Sequence, residues 1–228
     1  MIPPYARLLA DFNALLLAML FLGLLTQRRY RLCWSFLAYV AAVFLGNRLV
    51  VTWPEIFFTR WFASLKEAVY ALLKLSIAAE LGLLTFSRLP RARRLFLSVI
   101  AVLTILAALA QLAPSSMPGH WARVLNPRGQ ASVLCLLAST IVLAAFYRVP
   151  FHPFHRSLLL GFGLYLFAYT GSLTLLKEWG PSAYPYYAAL DPAAYAASLC
   201  VWILAAWRPA PALSPAGRHL QPWAEAAS

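Results

Sequence analysis

Long apolar runs, separated by short stretches that carry arginine or proline, dominate the chain. A helix needs about 20 mainly apolar residues to cross a bilayer core of ~30 Å, and seven runs of roughly this length occur. They are continuously apolar rather than alternating, which favours helices over barrel strands. The seven predicted spans are 8–25, 32–51, 62–86, 95–113, 130–147, 157–176 and 192–207. The sequence therefore predicts an all-α, polytopic membrane protein with a seven-transmembrane-helix bundle.

The segments between these spans predict the rest of the domain organisation. Residues 53–61 place aromatic side chains on one face of a short helix, so they predict either an interfacial helix or an aromatic-belt loop. Residues 114–130 and 180–191 are expected to be outer loops, although the last span could begin earlier, within the tyrosine-rich stretch 184–195. The proline-containing tail 209–228 is expected to be disordered. Residues 1–208 then form one transmembrane domain.

Composition supports this class. Apolar residues make up 62% of the chain and charged residues 11%, whereas soluble domains average about 45–50% and about 25%. Lys and Arg exceed Asp and Glu by 19 to 7, but most of the arginines lie between spans, where basic residues face anionic lipid headgroups. We therefore expect the lipid bilayer and anionic headgroups as partners, with no nucleic acid. A partner membrane or cytoplasmic protein remains open.

The arginines also predict an orientation. Eleven basic residues follow the first, third, fifth and seventh spans, against five in the other segments. By the positive-inside rule, the N-terminus lies outside and the C-terminus in the cytoplasm, in a membrane of the bacterial cytoplasmic type. The residues expected to form a cytoplasmic basic face are Arg28, Arg29, Arg31, Arg88, Arg91, Arg93 and Arg94.

Ionisable side chains inside spans cost at least about 2.5–3.5 kcal/mol near the bilayer centre, so they predict a site with mutual partners. Counting along the first three spans places Asp11, Arg48 and Glu67 at one outward level, with Lys74 near the midplane. Glu67, Tyr70 and Lys74 share a helix face. The predicted pocket, open to the outside, consists of Asp11, Asn13, Asn47, Arg48, Glu67, Tyr70, Lys74, Tyr169 and Ser172. The alternative is a buried ion-pair network that only sets helix register, with Asp11 and Arg48 snorkelling to the surface.

Two further features of the spans bear on packing and charge. Gly161, Gly163 and Gly171 in the sixth span predict close approach of a neighbouring helix. Glu80 is a separate intramembrane carboxylate, about 120° around the helix from Lys74. We expect it to be protonated or to be satisfied by a tyrosine, a basic residue or a partner subunit.

Catalytic motifs do not emerge from the sequence. All four histidines fall between spans or in the tail, so paired haem ligands are not expected. No HExxH, GxSxG or P-loop motif occurs. We expect no catalytic residue, metal or cofactor, although an enzyme acting through Glu67 or Glu80 is not excluded.

The functional hypothesis is a non-enzymatic sensor or receptor-like module, or a membrane-complex subunit, with an outward-facing polar pocket. In topology alone, seven spans with an outside N-terminus resemble the seven-helix sensor modules of bacterial signalling proteins. The alternative is a small transporter or ion- or proton-conducting protein that uses Lys74, Glu67 and Glu80 as relay charges. Proline and glycine do not interrupt the first five spans near their centres, which favours the first hypothesis.

Overall fold

The computed structural model of the protein describes residues 4–87, 89–112, 121–149 and 152–209. Within these residues the chain forms eight α-helices and two 3-10 turns, so the protein is all-α. The turns are Arg29–Leu32 and Gly180–Ala183. The α-helices are α1 (Pro4–Thr26), α2 (Trp34–Thr52), α3 (Pro54–Phe57), α4 (Arg60–Thr85), α5 (Pro90–Leu112), α6 (Trp121–Phe146), α7 (Pro153–Trp179) and α8 (Tyr184–Trp207).

Each predicted span coincides with one long helix. In the described part of the chain, four helical segments are long and apolar enough to cross a membrane: Trp34–Thr52, Trp61–Thr85, Pro153–Leu176 and Ala189–Trp207. Two shorter apolar segments, Asp11–Thr26 and Val133–Phe146, accompany them. These helices indicate a membrane location.

Local sequence accounts for where the helices begin and end. Proline opens α3 and α7 at the first turn, where its missing N–H is not needed. The Thr59 hydroxyl caps α4 by accepting a hydrogen bond from the Phe62 amide at 3.3 Å. Arg28 and Arg148, with φ values of 51° and 53°, follow the ends of α1 and α6 in the left-handed conformation that reverses the chain.

The long helices form a ring. Helices α1, α2, α4, α6, α7 and α8 each pack against the next, and α8 packs against α1. Helix α5 lies outside this ring, against α4 and α6. The α1–α2 turn contacts the end of α8 through Arg29 and the start of α7 through His155, and Glu80, near the end of α4, contacts the start of α2. One end of the ring therefore carries the α1–α2, α4–α5 and α6–α7 connections and the end of α8. We call this the arginine-rich end.

Aromatic side chains fill the ring near the arginine-rich end. Phe36 of α2 lies 5.2 Å, ring centre to ring centre, from Trp202 of α8, which lies 4.6 Å from Phe162 of α7. All three side chains are fully buried. Because lipid tails are as apolar as these side chains, close packing rather than expulsion of water holds such helices together.

Several segments differ from the sequence-based expectation. Residues 121–130, predicted as an outer loop, are the first part of α6, while 113–120 lie outside the described residues. Residues 184–191 belong to α8, so the prediction of a loop over 180–191 was wrong, and the earlier start of the last helix is confirmed. In 53–61 only Pro54–Phe57 forms a separate helix, and Trp61 belongs to α4. From residue 210 onward, the predicted tail lies outside the described residues.

Candidate functional site: a buried lysine among tyrosines

A lysine side chain lies inside the helix ring. Lys74 of α4 is only 3% exposed, and its Nζ atom lies 5.2 Å from the ring centre of Tyr165 on α7. A cation over an aromatic face gains attraction, which increases when water is excluded. Lys74 therefore links two helices across the interior of the ring.

Two carboxylates act on this ammonium group. Glu67, two turns before Lys74 on the same face of α4, and Asp191 of α8 both interact with it electrostatically. Both carboxylates are half-buried. Opposite charges brought together in this way compensate part of the cost of removing each from water. The site thus combines one ammonium and two carboxylates from two helices.

Five tyrosines surround these charges, and we call them the tyrosine cluster. The rings of Tyr165 and Tyr195 are 5.3 Å apart, those of Tyr165 and Tyr169 5.8 Å, and those of Tyr39 and Tyr70 6.2 Å. The Tyr70 hydroxyl donates long hydrogen bonds to the carbonyls of residues 42 and 43, at 3.4 and 3.5 Å. The cluster brings hydroxyl groups from α2, α4, α7 and α8 into the interior.

Two buried polar atoms at this site have no hydrogen-bond partner. They are Oδ1 of Asp191 and the hydroxyl oxygen of Tyr195, four residues later on α8. The Tyr39 and Tyr195 hydroxyls lie near each other, but their angle is outside the range of a hydrogen bond. Tyr70 and Asp191 act on Tyr195 electrostatically. A buried polar group left unpaired costs about 1–3 kcal/mol, so this part of the site favours an occupant that hydrogen-bonds to both atoms.

Proline modifies α8 at the same place. Pro192 lies within the helix, directly after Asp191. Because proline has no backbone N–H, the carbonyl of residue 188 cannot accept the usual intrahelical hydrogen bond. Pro192 therefore removes one intrahelical hydrogen bond from the part of α8 that carries Asp191 and Tyr195.

The close helix approach that the sequence predicts at glycine occurs at one of three positions. A Cβ atom on Gly161 would overlap the indole of Trp202, whereas nothing lies within 4 Å of a Cβ built on Gly163 or Gly171. The prediction was therefore wrong for Gly163 and Gly171. At Gly161 the missing side chain lets the α8 indole pack directly against α7.

The structure divides the predicted pocket into separate groups. Asp11 and Arg48 do pair, with Oδ1 and Nη1 3.6 Å apart, but their side chains are 68% and 42% exposed. Arg48 also lies over the Phe44 ring, at 5.9 Å. The two charges join α1 to α2 at the outer surface of the ring, rather than facing the buried Lys74. The expectation that all these charges share one inward-facing pocket was wrong on this point, because counting depth along a helix does not determine its rotation.

The remaining predicted residues have mixed positions. Tyr169 and Ser172 are buried, but the Ser172 hydroxyl donates to the Tyr169 carbonyl, at 2.9 Å, within α7. Asn13 and Asn47 are half-buried, and Oδ1 of Asn13 has no hydrogen-bond partner in the described residues. Lys74, Glu67, Tyr70 and Tyr169 are therefore the predicted residues that meet at the site.

Sequence reasoning missed three members of the site: Tyr39, Asp191 and Tyr195. Tyr39 lies in an otherwise apolar run, so no pattern in the sequence marked it as a member of the site. Asp191 and Tyr195 were assigned to a loop or to an uncertain helix start. Their spacing of four residues across a proline was the one signal that could have placed them on a shared helical face.

Glu80 has a role that the sequence did not suggest. Its two carboxylate oxygens accept hydrogen bonds from the backbone amides of Trp34 and Ser35, both at 2.9 Å. The Cys33 thiol donates to the same carboxylate, at 3.4 Å. The first amides of a helix have no intrahelical partner and attract negative charge. Glu80 of α4 therefore caps α2 from a neighbouring helix, and burial together with Glu80 raises the pKa of the Cys33 thiol.

Further polar contacts hold the turn between α1 and α2. Arg29, which the sequence assigns to the basic face, is buried at this end of the helices, and its Nη2 donates to the Arg208 carbonyl at 2.7 Å. His155 Nε2 lies 3.0 Å from the Leu32 carbonyl. His152 caps α7, and burial, with smaller contributions from His155 and Arg29, lowers its pKa to about 4.

In the described part of the chain, no group of three or more His, Cys, Asp or Glu side chains is placed to hold a metal ion. The groups around Lys74 are carboxylates and tyrosine hydroxyls, which form hydrogen bonds.

Comparison with known proteins does not add a family. No protein-family model, curated protein or solved structure matches the chain.

Proposed function

We propose that this chain is a seven-span integral membrane protein, a non-enzymatic sensor or receptor-like module or a membrane-complex subunit, that binds a small polar ligand inside its helix ring. The observation that carries the proposal is the pair of buried, unpartnered atoms, Asp191 Oδ1 and the Tyr195 hydroxyl. They lie beside the Lys74 ammonium, Glu67 and the tyrosine cluster. A ligand that hydrogen-bonds to both would offset the cost of their burial.

A binding site of this kind needs an apolar frame and a few convergent polar groups. Phe36, Phe162 and Trp202 supply such a frame toward the arginine-rich end. The polar groups come from α4, α7 and α8, so an occupant would contact several helices at once. Binding that contacts several helices can shift their packing, which is how a receptor-like module would pass a signal across a membrane.

Melting temperatures of the purified full chain in detergent test the proposal. The probes are glycine, acetate, choline and inorganic phosphate, which represent a zwitterion, an organic anion, an organic cation and an oxyanion. At about 100 times its Kd, a bound probe contributes about 2.7 kcal/mol, which raises the Tm by roughly 5–11 °C in a chain of this size. We expect at least one probe to do so.

Two pairs of variants assign the effect to the site. Asp191→Asn and Tyr195→Phe are expected to abolish stabilisation by the probe, while leaving the unliganded Tm equal to or above that of the wild type. The matched controls are Glu178→Gln and Tyr186→Phe, because both residues are exposed. If none of the four probes stabilises the wild type, or if the control variants lose the effect equally, the proposal is wrong.

Orientation is part of the same proposal: an outside N-terminus and a cytoplasmic C-terminus in a membrane of the bacterial cytoplasmic type. Exposed arginines concentrated at one end of the helices support it. A C-terminal green fluorescent protein fusion in bacteria is expected to fluoresce, since that reporter matures in the cytoplasm. A fusion that inserts into the membrane but does not fluoresce, together with an active C-terminal alkaline phosphatase fusion, would show the opposite orientation.

One observation favours a second function, a small ion- or proton-conducting protein. Lys74 is buried with carboxylates from two helices in electrostatic range, an arrangement also used by intramembrane relays. Reconstituted vesicles under a pH gradient distinguish the functions. If the wild type and Lys66→Met conduct protons and Lys74→Met does not, the second function holds and the sensor proposal is wrong. Flux equal to that of empty vesicles would exclude the second function.

A further inference from the structure

The arginine-rich end carries exposed guanidinium groups on almost every chain segment that reaches it. The exposed arginines that the structure describes at this end are Arg28, Arg31, Arg91, Arg93, Arg94, Arg148, Arg156 and Arg208. Arg29 is the exception at this end, because its side chain is buried against the end of α8. Arg88 lies outside the described residues. We call the eight exposed side chains the arginine belt.

The belt follows the circumference of the ring. Arg28 and Arg31 lie at the α1–α2 connection, and Arg91 begins the group in the first turn of α5. Arg148 and Arg156 lie on either side of the α6–α7 connection, and Arg208 directly follows α8. Helices α1, α2, α6, α7 and α8 belong to the ring, and α5 lies against its α4 and α6 side, so the charges occur on more than one side of the ring. A ring of charge suits a partner that surrounds the protein better than one that docks on a single patch.

Acidic side chains do not neutralise the belt. In the described residues, Glu80 is the one acidic side chain near this end, and both its oxygens already accept backbone hydrogen bonds. Helix α5 has three arginines and no acidic residue in its first turn. A helix dipole is positive there, so these arginines repel it. An external anion would relieve this repulsion.

Large apolar side chains adjoin the belt and are also exposed. Trp34 is exposed at the start of α2, Leu95 and Leu97 on α5, and Phe146 at the end of α6. Guanidinium groups beside an apolar surface match the boundary between headgroups and acyl chains, and their paired N–H groups bind phosphate oxygens in a bidentate way. We infer that the arginine belt binds the phosphate groups of anionic phospholipids around the whole perimeter of the protein. This inference rests on the membrane location in the proposed function.

Lipid selectivity measured by electron spin resonance tests the inference. The full chain is reconstituted in phosphatidylcholine vesicles that contain traces of spin-labelled phosphatidylglycerol or phosphatidylcholine. The wild type is expected to prefer phosphatidylglycerol, and high salt is expected to reduce this preference. The first variant carries Arg91→Gln, Arg93→Gln and Arg94→Gln. Each of these replacements is expected to weaken the binding of the neighbouring phosphatidylglycerol headgroup about fivefold.

Variants elsewhere distinguish a belt from a single patch. The pair Arg148→Gln and Arg156→Gln, at another connection, is also expected to reduce selectivity. Replacing the three α5 arginines by lysine is expected to retain most of the lipid selectivity. Lys66→Gln, on the part of α4 far from the belt, is expected to retain all of it. Equal association of both lipids with the wild type, or sensitivity confined to α5, would overturn the inference.

Vesicle flotation separates this test from the proposed function. A chain that floats with the vesicles but shows no lipid preference refutes the belt and leaves the membrane location intact. A chain that does not float refutes both. Variants are compared only where circular dichroism shows wild-type helix content, so that misfolding is not mistaken for lost binding.

Discussion

Replacing Glu80 by glutamine tests the interhelical cap of α2. The carboxylate accepts from two backbone amides, each at 2.9 Å, whereas a glutamine side chain has one oxygen to offer. One charge-assisted hydrogen bond, worth about 1.5–3 kcal/mol, is lost together with about 0.3–1 kcal/mol of attraction to the helix dipole. The expected destabilisation is about 2–4 kcal/mol, or roughly 4–16 °C in Tm.

Thermal unfolding of the purified protein in detergent measures this change. Glu80→Ala is expected to lower the Tm further, because it removes both acceptors. The matched control is Glu178→Gln, an exposed carboxylate on α7, which is expected to change stability by at most about 0.5 kcal/mol.

Hydrogen exchange provides a local measurement of the same cap. The amides of Trp34 and Ser35 are expected to exchange faster in Glu80→Gln, with amides in the middle of α2 less affected. A glutamine variant with wild-type Tm and unchanged exchange at these two amides would show that the carboxylate does not stabilise the start of α2.

Three other changes have defined outcomes. Gly161→Val is expected to cost about 1–3 kcal/mol by overpacking against Trp202, and equal Tm values for it and Gly163→Val would contradict the packing argument. Stability in detergent is expected to fall as the pH drops from about 6.5 toward 4, because His152 is neutral in the folded protein and binds a proton on unfolding. His152→Asn, which can still cap α7, is expected to reduce this dependence of stability on pH. An unchanged dependence would show that His152 is not its source. Arg29→Gln is expected to lower the Tm by more than Arg28→Gln, because Arg29 is buried and donates to the Arg208 carbonyl. A larger loss in Arg28→Gln would show that the Arg29 hydrogen bond does not stabilise this end.

The length and continuity of the apolar runs were sufficient to predict the long helices. Each predicted run lies on one long helix because burying backbone polar groups in lipid requires continuous intrahelical hydrogen bonds, which is a local property of the sequence. Loops were less predictable. Residues 121–130 and 184–191 contain polar residues and prolines but are helical. Pro185 lies in the first turn of α8, where a missing backbone N–H does not interrupt the helix.

Site membership depended on tertiary structure. Depth along a span follows from residue count, which placed Asp11, Arg48 and Glu67 at one level, but the side of the helix that faces inward follows from packing with distant segments. The rotation of α1 and α2 left Asp11 and Arg48 at the surface, while α8 brought Asp191 and Tyr195 to Lys74 across more than a hundred residues of chain. Local sequence thus determined which segments are helices, and only helix packing decided which charges meet, because contacts between helices depend on rotation and neighbours that no single segment encodes.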